Sequence, residues 1–146
     1  MENDILYDEE RIGTILSDIR RYLKDFEDLK IIRVQDLHDK RNFYASSMVL
    51  FSLLNRVFDL GSEMAIAHNL GIPGTYREIF VLLRKNGIIE PDLAQEMVGL
   101  VTYRNLLSHE YHGITDETLF NLTKKIVCIR QFVVSMQDTI QQTSDT

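Results

Sequence analysis

In the stretch Pro91-Asp92-Leu93-Ala94-Gln95-Glu96-Met97-Val98-Gly99-Leu100-Val101-Thr102-Tyr103-Arg104-Asn105-Leu106-Leu107-Ser108-His109-Glu110-Tyr111-His112-Gly113, the apolar seam runs Leu93, Met97, Leu100, Leu107. Steps of three and four residues are the period of an α-helix with one buried face. Pro91 suits the first turn of that helix, and Gly113 suits its end. One position breaks the pattern. Arg104 stands where the seam calls for an apolar side chain. A lone guanidinium on a buried seam is costly unless it is paired. Tyr111 lies seven residues on and shares that face if the helix persists. His109, five residues on, lies about 140° round the axis. It joins the pair only if the helix end is distorted or another chain completes the geometry.

Outward from this stretch the same period recurs. Ile12, Ile15, Ile19, Tyr22, Phe26 and Leu29 predict a helix from Asp8 to Leu29. Leu119, Leu122, Ile126, Ile129, Val133, Met136 and Ile140 predict a last helix that starts at Thr115 or Asp116 and frays in its tail. Gly71-Ile72-Pro73-Gly74 is the strongest turn, and Thr75-Tyr76-Arg77-Glu78 reads as a capping box opening a short helix. The segment Asp36 to His68 predicts a long helix with two seams. Leu50, Leu53, Val57, Leu60 and Met64 form one; Tyr44, Met48, Phe51 and Phe58 form the other. A helix apolar on two faces must cover both. Either it is central in the bundle or one face meets a second copy of the chain. Strand-type alternation is missing. The expectation is all-α: one domain over residues 1–146, an antiparallel bundle of about five helices, paired as a two-fold homodimer.

With 146 residues, 45% hydrophobic and 26% charged, the chain can bury a full core without staples. The single cysteine, Cys128, allows no internal disulfide and fits a reducing, cytoplasmic setting. The start MENDILYDEE lacks the basic and apolar regions of a secretory signal, and no apolar run is long enough to span a membrane. The net charge of −6 argues against a broad basic surface for nucleic acid. Any RNA chemistry must therefore be local.

Three readings of Arg104 and His109 follow from the residues. Arg104 can pair with a buried carboxylate while His109 satisfies a nearby carbonyl. His109 and His112, three apart, can hold a metal, although HEYH is not the zincin spacing and no third ligand stands out. Or Arg104 holds a phosphate while His109 moves a proton.

The run Arg104-Asn105-Leu106-Leu107-Ser108-His109-Glu110-Tyr111 resembles the signature of the HepT toxins, within the HEPN group of helical ribonucleases: Arg, four residues, His, any residue, Tyr. Pro73-Gly74-Thr75-Tyr76-Arg77-Glu78-Ile79-Phe80, Gly87-Ile88-Ile89 and Met97-Val98-Gly99 are similar to the family's flanks, so the likeness covers Lys40 to Gly113. The resemblance implies a homodimeric endoribonuclease that needs no metal or other cofactor, the toxin of a toxin–antitoxin pair. Its RNA would be messenger RNA or tRNA. It also implies a partner, an MNT-type nucleotidyltransferase antitoxin that silences it by attaching AMP to Tyr111.

Metal-free RNA cleavage uses the ribose 2′-OH as nucleophile. Imidazole suits the proton transfers because its ordinary pKa of about 6.5 is near working pH. A guanidinium suits the phosphate because it stays charged and donates in a rigid fork. Arg104 and His109 are thus the catalytic candidates; Asn105, Ser108 and Tyr111 are candidates for orienting phosphate or imidazole. One motif histidine cannot act on both sides of one phosphorus at once, which a two-fold dimer would resolve. Lys40, Arg41, Arg56, Arg77, Arg84, Lys85, Lys124 and Lys125 are the cations that could relieve the acidic charge locally. Two rival readings remain at this level. One is a non-catalytic module presenting nucleotide or substrate to the nucleotidyltransferase; the other is a helical dimer in which Arg104 and Tyr111 merely pair.

Overall fold

The computed structural model describes residues 4–109 and 113–144, with the side chains of His109 and Ser144 outside that description. Among the described residues there are six α-helices: α1 (Glu9–Leu29), α2 (Lys40–Ala67), α3 (Tyr76–Lys85), α4 (Pro91–His109), α5 (Asp116–Thr123) and α6 (Ile126–Ser144). No strand occurs among these residues. None of the helices is long and apolar enough to cross a membrane.

The helix starts follow local hydrogen-bonding chemistry. Asp8 caps α1 by accepting from the Arg11 N–H at 3.1 Å, with Glu9 and Glu10 in the first turn. Thr75 caps α3 by accepting from the Glu78 N–H at 3.1 Å. Glu78 reaches back to the Gly74 N–H, one residue before the expected partner. The long second helix starts later than its sequence suggests. The Asp36 carboxylate accepts from the N–H groups of Ile32 and Arg33, both at 2.9 Å, and these bonds hold its pKa below the ordinary carboxylate value. Such side-chain bonds compete with helical ones. Val34–His38 therefore forms a separate 3₁₀ turn pinned by buried Leu37, and Asp39 caps α2 anew. The expected last helix is likewise in two pieces, turning at Lys124–Lys125 between α5 and α6.

α2 is the central element. It packs against α1, α3, α4 and α6. Leu50, Leu53, Val57, Leu60 and Met64 are fully buried, as are Ile15 and Ile19 from α1 and Phe132 and Met136 from α6. Burying a side chain of this size stabilises by about 1.5–3 kcal/mol, so the seams dominate the stability. Where α2 crosses α3, Gly61 permits close approach: a Cβ there would lie 2.6 Å from Ile79 Cγ2. The second face of α2 divides. Phe58 is buried and Phe51 half-buried, while Tyr44 and Met48 stay 63% and 60% exposed, enough to leave an apolar patch near the start of the helix.

Candidate anion site at Arg104

Arg104 projects from α4 between α2 and α3 and is half-buried. Its Nε donates to Asn55 Oδ1 of α2 at 3.1 Å. Its Nη1 donates to Ser108 Oγ, one turn on, at a long 3.5 Å. The Ser108 hydroxyl proton is already used on the Asn105 carbonyl at 3.1 Å, so the lone pairs of Oγ face the guanidinium. The guanidinium carbon lies 4.9 Å from the centroid of the Tyr76 ring and 5.5 Å from that of Phe51, within the range of cation–π attraction.

Among the described residues the partners of Arg104 are thus two rings and two neutral oxygens. Among the described residues no carboxylate forms an ion pair with it. The buried-carboxylate reading therefore finds no support in the described residues. Neutral acceptors fix the direction of the guanidinium without cancelling its charge. A cation held in this way is prepared for an anion.

Tyr76 is itself braced. Its ring packs on Phe58 at 5.0 Å between centroids, Phe58 on Phe80 at 5.7 Å, and Phe80 on Phe132 at 5.5 Å. This aromatic line runs from the site into the core, and it locks the plate beneath Arg104. Asn105, the next residue along α4, lines a cleft among α2, α4 and the start of α3 that Phe58 and Tyr76 also line.

His109 is the last residue of α4, so backbone continuity places it one turn and a half beyond Arg104. Its side chain, and the whole of Glu110, Tyr111 and His112, lie outside the described residues. The suggested pairing of His109 with His112 on a metal lies there too. Among the described residues no group of three His, Cys, Asp or Glu side chains is placed to hold a metal ion.

Sequence reasoning missed Asn55, and it gave Phe51 and Tyr76 only structural roles. A signal existed for Asn55. Tyr44, Met48, Phe51 and Asn55 step by four, three and four, so Asn55 is a polar residue ending an apolar stripe. The candidate cations are scattered. Arg56 is engaged by Asp18 at 2.8 Å and Asp59 at 3.1 Å. Lys124 lies over the Phe120 ring. Arg77 alone of the eight lines the cleft that Asn105 also lines, and it shares a second cleft with Arg84. Cys128 is buried and donates to the Lys125 carbonyl, and burial pushes its thiol pKa up to about 11, which makes it chemically quiet.

Solved structures share this fold. The tri-AMPylated HEPN toxin of Shewanella oneidensis, solved in complex with its MNT antitoxin, superposes with a TM-score of 0.78 at 21% identity, covering 94% of this chain and 99% of that one. A chain of a toxin–antitoxin complex solved with AMP-PNP gives 0.77 at 20% identity, covering 92% and 99%. The cytosolic protein YutE of Bacillus subtilis, of unknown function, gives 0.80 at 19%, covering 93% and 92%. No curated protein matches the chain in sequence. The model of the HepT-like ribonuclease family, however, matches residues 12–136, nearly the whole bundle and all of the Arg104 site, and the chain belongs to that family.

Proposed function

We propose that this chain is the toxin of a HepT/MntA-type toxin–antitoxin system and that it cleaves RNA without a metal. The observation that carries the reading is the Arg104 guanidinium, held by Asn55 and two aromatic rings with no counter-ion among the described residues, on the helix that ends at His109. Arg104 binds the scissile phosphate and stabilises the charge that builds on its oxygens, commonly the largest catalytic contribution. His109 takes the proton of the ribose 2′-OH or gives one to the leaving 5′-oxygen. The 2′-oxygen forms a bond to phosphorus as the bond to the 5′-oxygen breaks, leaving a cyclic phosphate and a 5′-hydroxyl end.

A second copy of the chain supplies the second imidazole. The exposed Tyr44 and Met48 lead along α2 to Phe51 and Asn55, so a partner docked on them would reach the Arg104 site. Asn105 and Ser108 orient the phosphate and the guanidinium. AMP placed on Tyr111 by an MNT-type nucleotidyltransferase would set a phosphodiester charge in competition with RNA. The AMPylated toxin of Shewanella oneidensis, with its MNT antitoxin, has this fold and makes that partner the natural candidate. The site of action would be cytoplasmic messenger RNA or tRNA. Affinity falls with added salt, because phosphate is the principal contact.

The test is induction in bacteria of the wild-type chain and of His109→Ala, with cellular RNA examined for new 5′-hydroxyl ends. Growth arrest and such ends with wild type alone are expected. Equal tolerance of both well-folded proteins, with no cleavage, would replace the nuclease by a non-catalytic nucleotide-binding partner of the nucleotidyltransferase.

A further inference from the structure

Beside the guanidinium, the chain forms a cleft of about 570 Å³. Two residues belong to both places. Tyr76 supports Arg104 with its ring and lines the cleft, and Asn105 follows Arg104 in the chain and lines it too. Pro73, Ile79 and Val101 give the cleft apolar walls, and Asp59 and Ser62 bring polar atoms to it. The volume falls within the range of small-ligand sites, and the open wall mixes apolar with polar side chains.

Asp59 sets the chemistry. Its Oδ2 accepts from Arg56 Nη1 at 3.1 Å, and Arg56 is held in turn by Asp18. The carboxylate is therefore fixed in place and its charge is countered, yet its side chain remains 40% exposed, so it can still be reached. An ionised carboxylate only accepts hydrogen bonds. It suits the edge of a flat heterocycle that presents N–H groups and repels a second phosphate. Single-stranded RNA is commonly read in this manner, with the base slotted against flat side chains and its edge hydrogen-bonded. Guanine is the base whose edge carries two adjacent donors, N1–H and N2–H. Uracil flanks its one donor with carbonyl oxygens, and adenine and cytosine set an acceptor beside their amines.

We infer that the cleft between α2 and the start of α3 is a base subsite for the nucleotide next to the phosphate on Arg104, that Asp59 selects guanine there, and that Arg77 on its rim meets the next phosphate. This assignment rests on Arg104 being the phosphate site. It gives a HepT-like nuclease a means of choosing where to cut that its overall acidic charge does not supply.

The experiment uses the full chain and fluorescein-labelled 2′-O-methyl pentanucleotides UUGUU and UUUUU, which cannot be cleaved, with affinity read by anisotropy. Wild type is expected to favour UUGUU by roughly tenfold, in the range of a two-donor base contact. Asp59→Asn is expected to abolish that preference while changing the UUUUU affinity less than about twofold. Ser62→Tyr, which fills the slot and retains the Asp59 carboxylate, is expected to do the same, with circular dichroism verifying the fold of both variants. Equal wild-type affinity for the two RNAs, with Arg104→Ala still weakening both, overturns the base subsite and leaves the phosphate site standing. Undiminished preference in Ser62→Tyr also overturns it. Binding unaffected by Arg104→Ala overturns both assignments together.

Discussion

Arg104 occupies a seam position, and its described neighbours hold it there without neutralising it. Asn55 differs from an aspartate by one atom, and that atom decides the electrostatics. Asn55→Asp would place a carboxylate on the Arg104 Nε, giving it an ion-pair partner that the described residues do not supply. The variant is expected to keep or raise its melting temperature and to lose RNA binding by more than tenfold, measured by thermal unfolding and anisotropy. A variant that binds RNA as wild type does would mean that Arg104 is not an anion site. A second residue sets a pH dependence. His68, half-buried, shares a hydrogen bond of 2.7 Å with the Tyr7 hydroxyl, and burial lowers its pKa from the ordinary 6.5. The unfolded chain therefore binds this proton more readily than the folded one. The associated stability is complete above pH 6.5 and drains away as pH falls through the lowered folded value. Melting temperatures between pH 7.5 and 5 are expected to fall less steeply for His68→Gln than for wild type.

At the level of elements, caps were readable because they are local: Asp8, Thr75 and Thr115 each accept from an N–H three residues on. The start of α2 was less so. Asp36 and Asp39 are both competent caps, yet Asp36 turns its carboxylate back to the N–H groups of Ile32 and Arg33 in a 3₁₀ turn that buried Leu37 anchors, and Asp39 opens the helix. The role of Gly61 was invisible in sequence, since it depends on how closely α3 approaches. Gly61→Ala gains helix propensity of about 1 kcal/mol. It also forces a methyl into the branched, buried side chain of Ile79 and towards Phe132 and Phe80, for which over-packing typically costs about 1–3 kcal/mol. The balance is expected to be a net loss, read as a lower denaturation midpoint. The shift of α3 should carry Tyr76 with it and weaken RNA binding as well.

For the molecule as a whole, the bundle was legible because every core seam repeats at three and four residues, and most of the seam residues are buried. Arg104 was legible as a candidate because it breaks that pattern. Its clamp was not, because Phe51, Asn55 and Tyr76 are distant in sequence and meet Arg104 only through the crossing of three helices. Asn105 lines a cleft and Ser108 stands against the guanidinium, whereas the His109 imidazole and Tyr111 lie beyond the described residues. The two seams of α2 received two different answers. One face is the centre of the bundle, and the other leaves Tyr44 and Met48 in the open. If a second copy covers them, Met48→Glu is expected to give a folded monomer by light scattering, with cleavage reduced at least tenfold. Full activity in a strict monomer would overturn the composite site.

The clamp on Arg104 also forecasts a pattern of inheritance. Because its plates and its amide come from two other helices, lesions that abolish the proposed toxicity need not fall in the signature run. Selection for cells that survive its induction should return changes at Phe51, Asn55 and Tyr76, and at Gly61 where α3 is set in place, alongside those at Arg104. Sorted by position along the chain, such survivors would look scattered. Mapped onto the bundle, they would gather round a single cation.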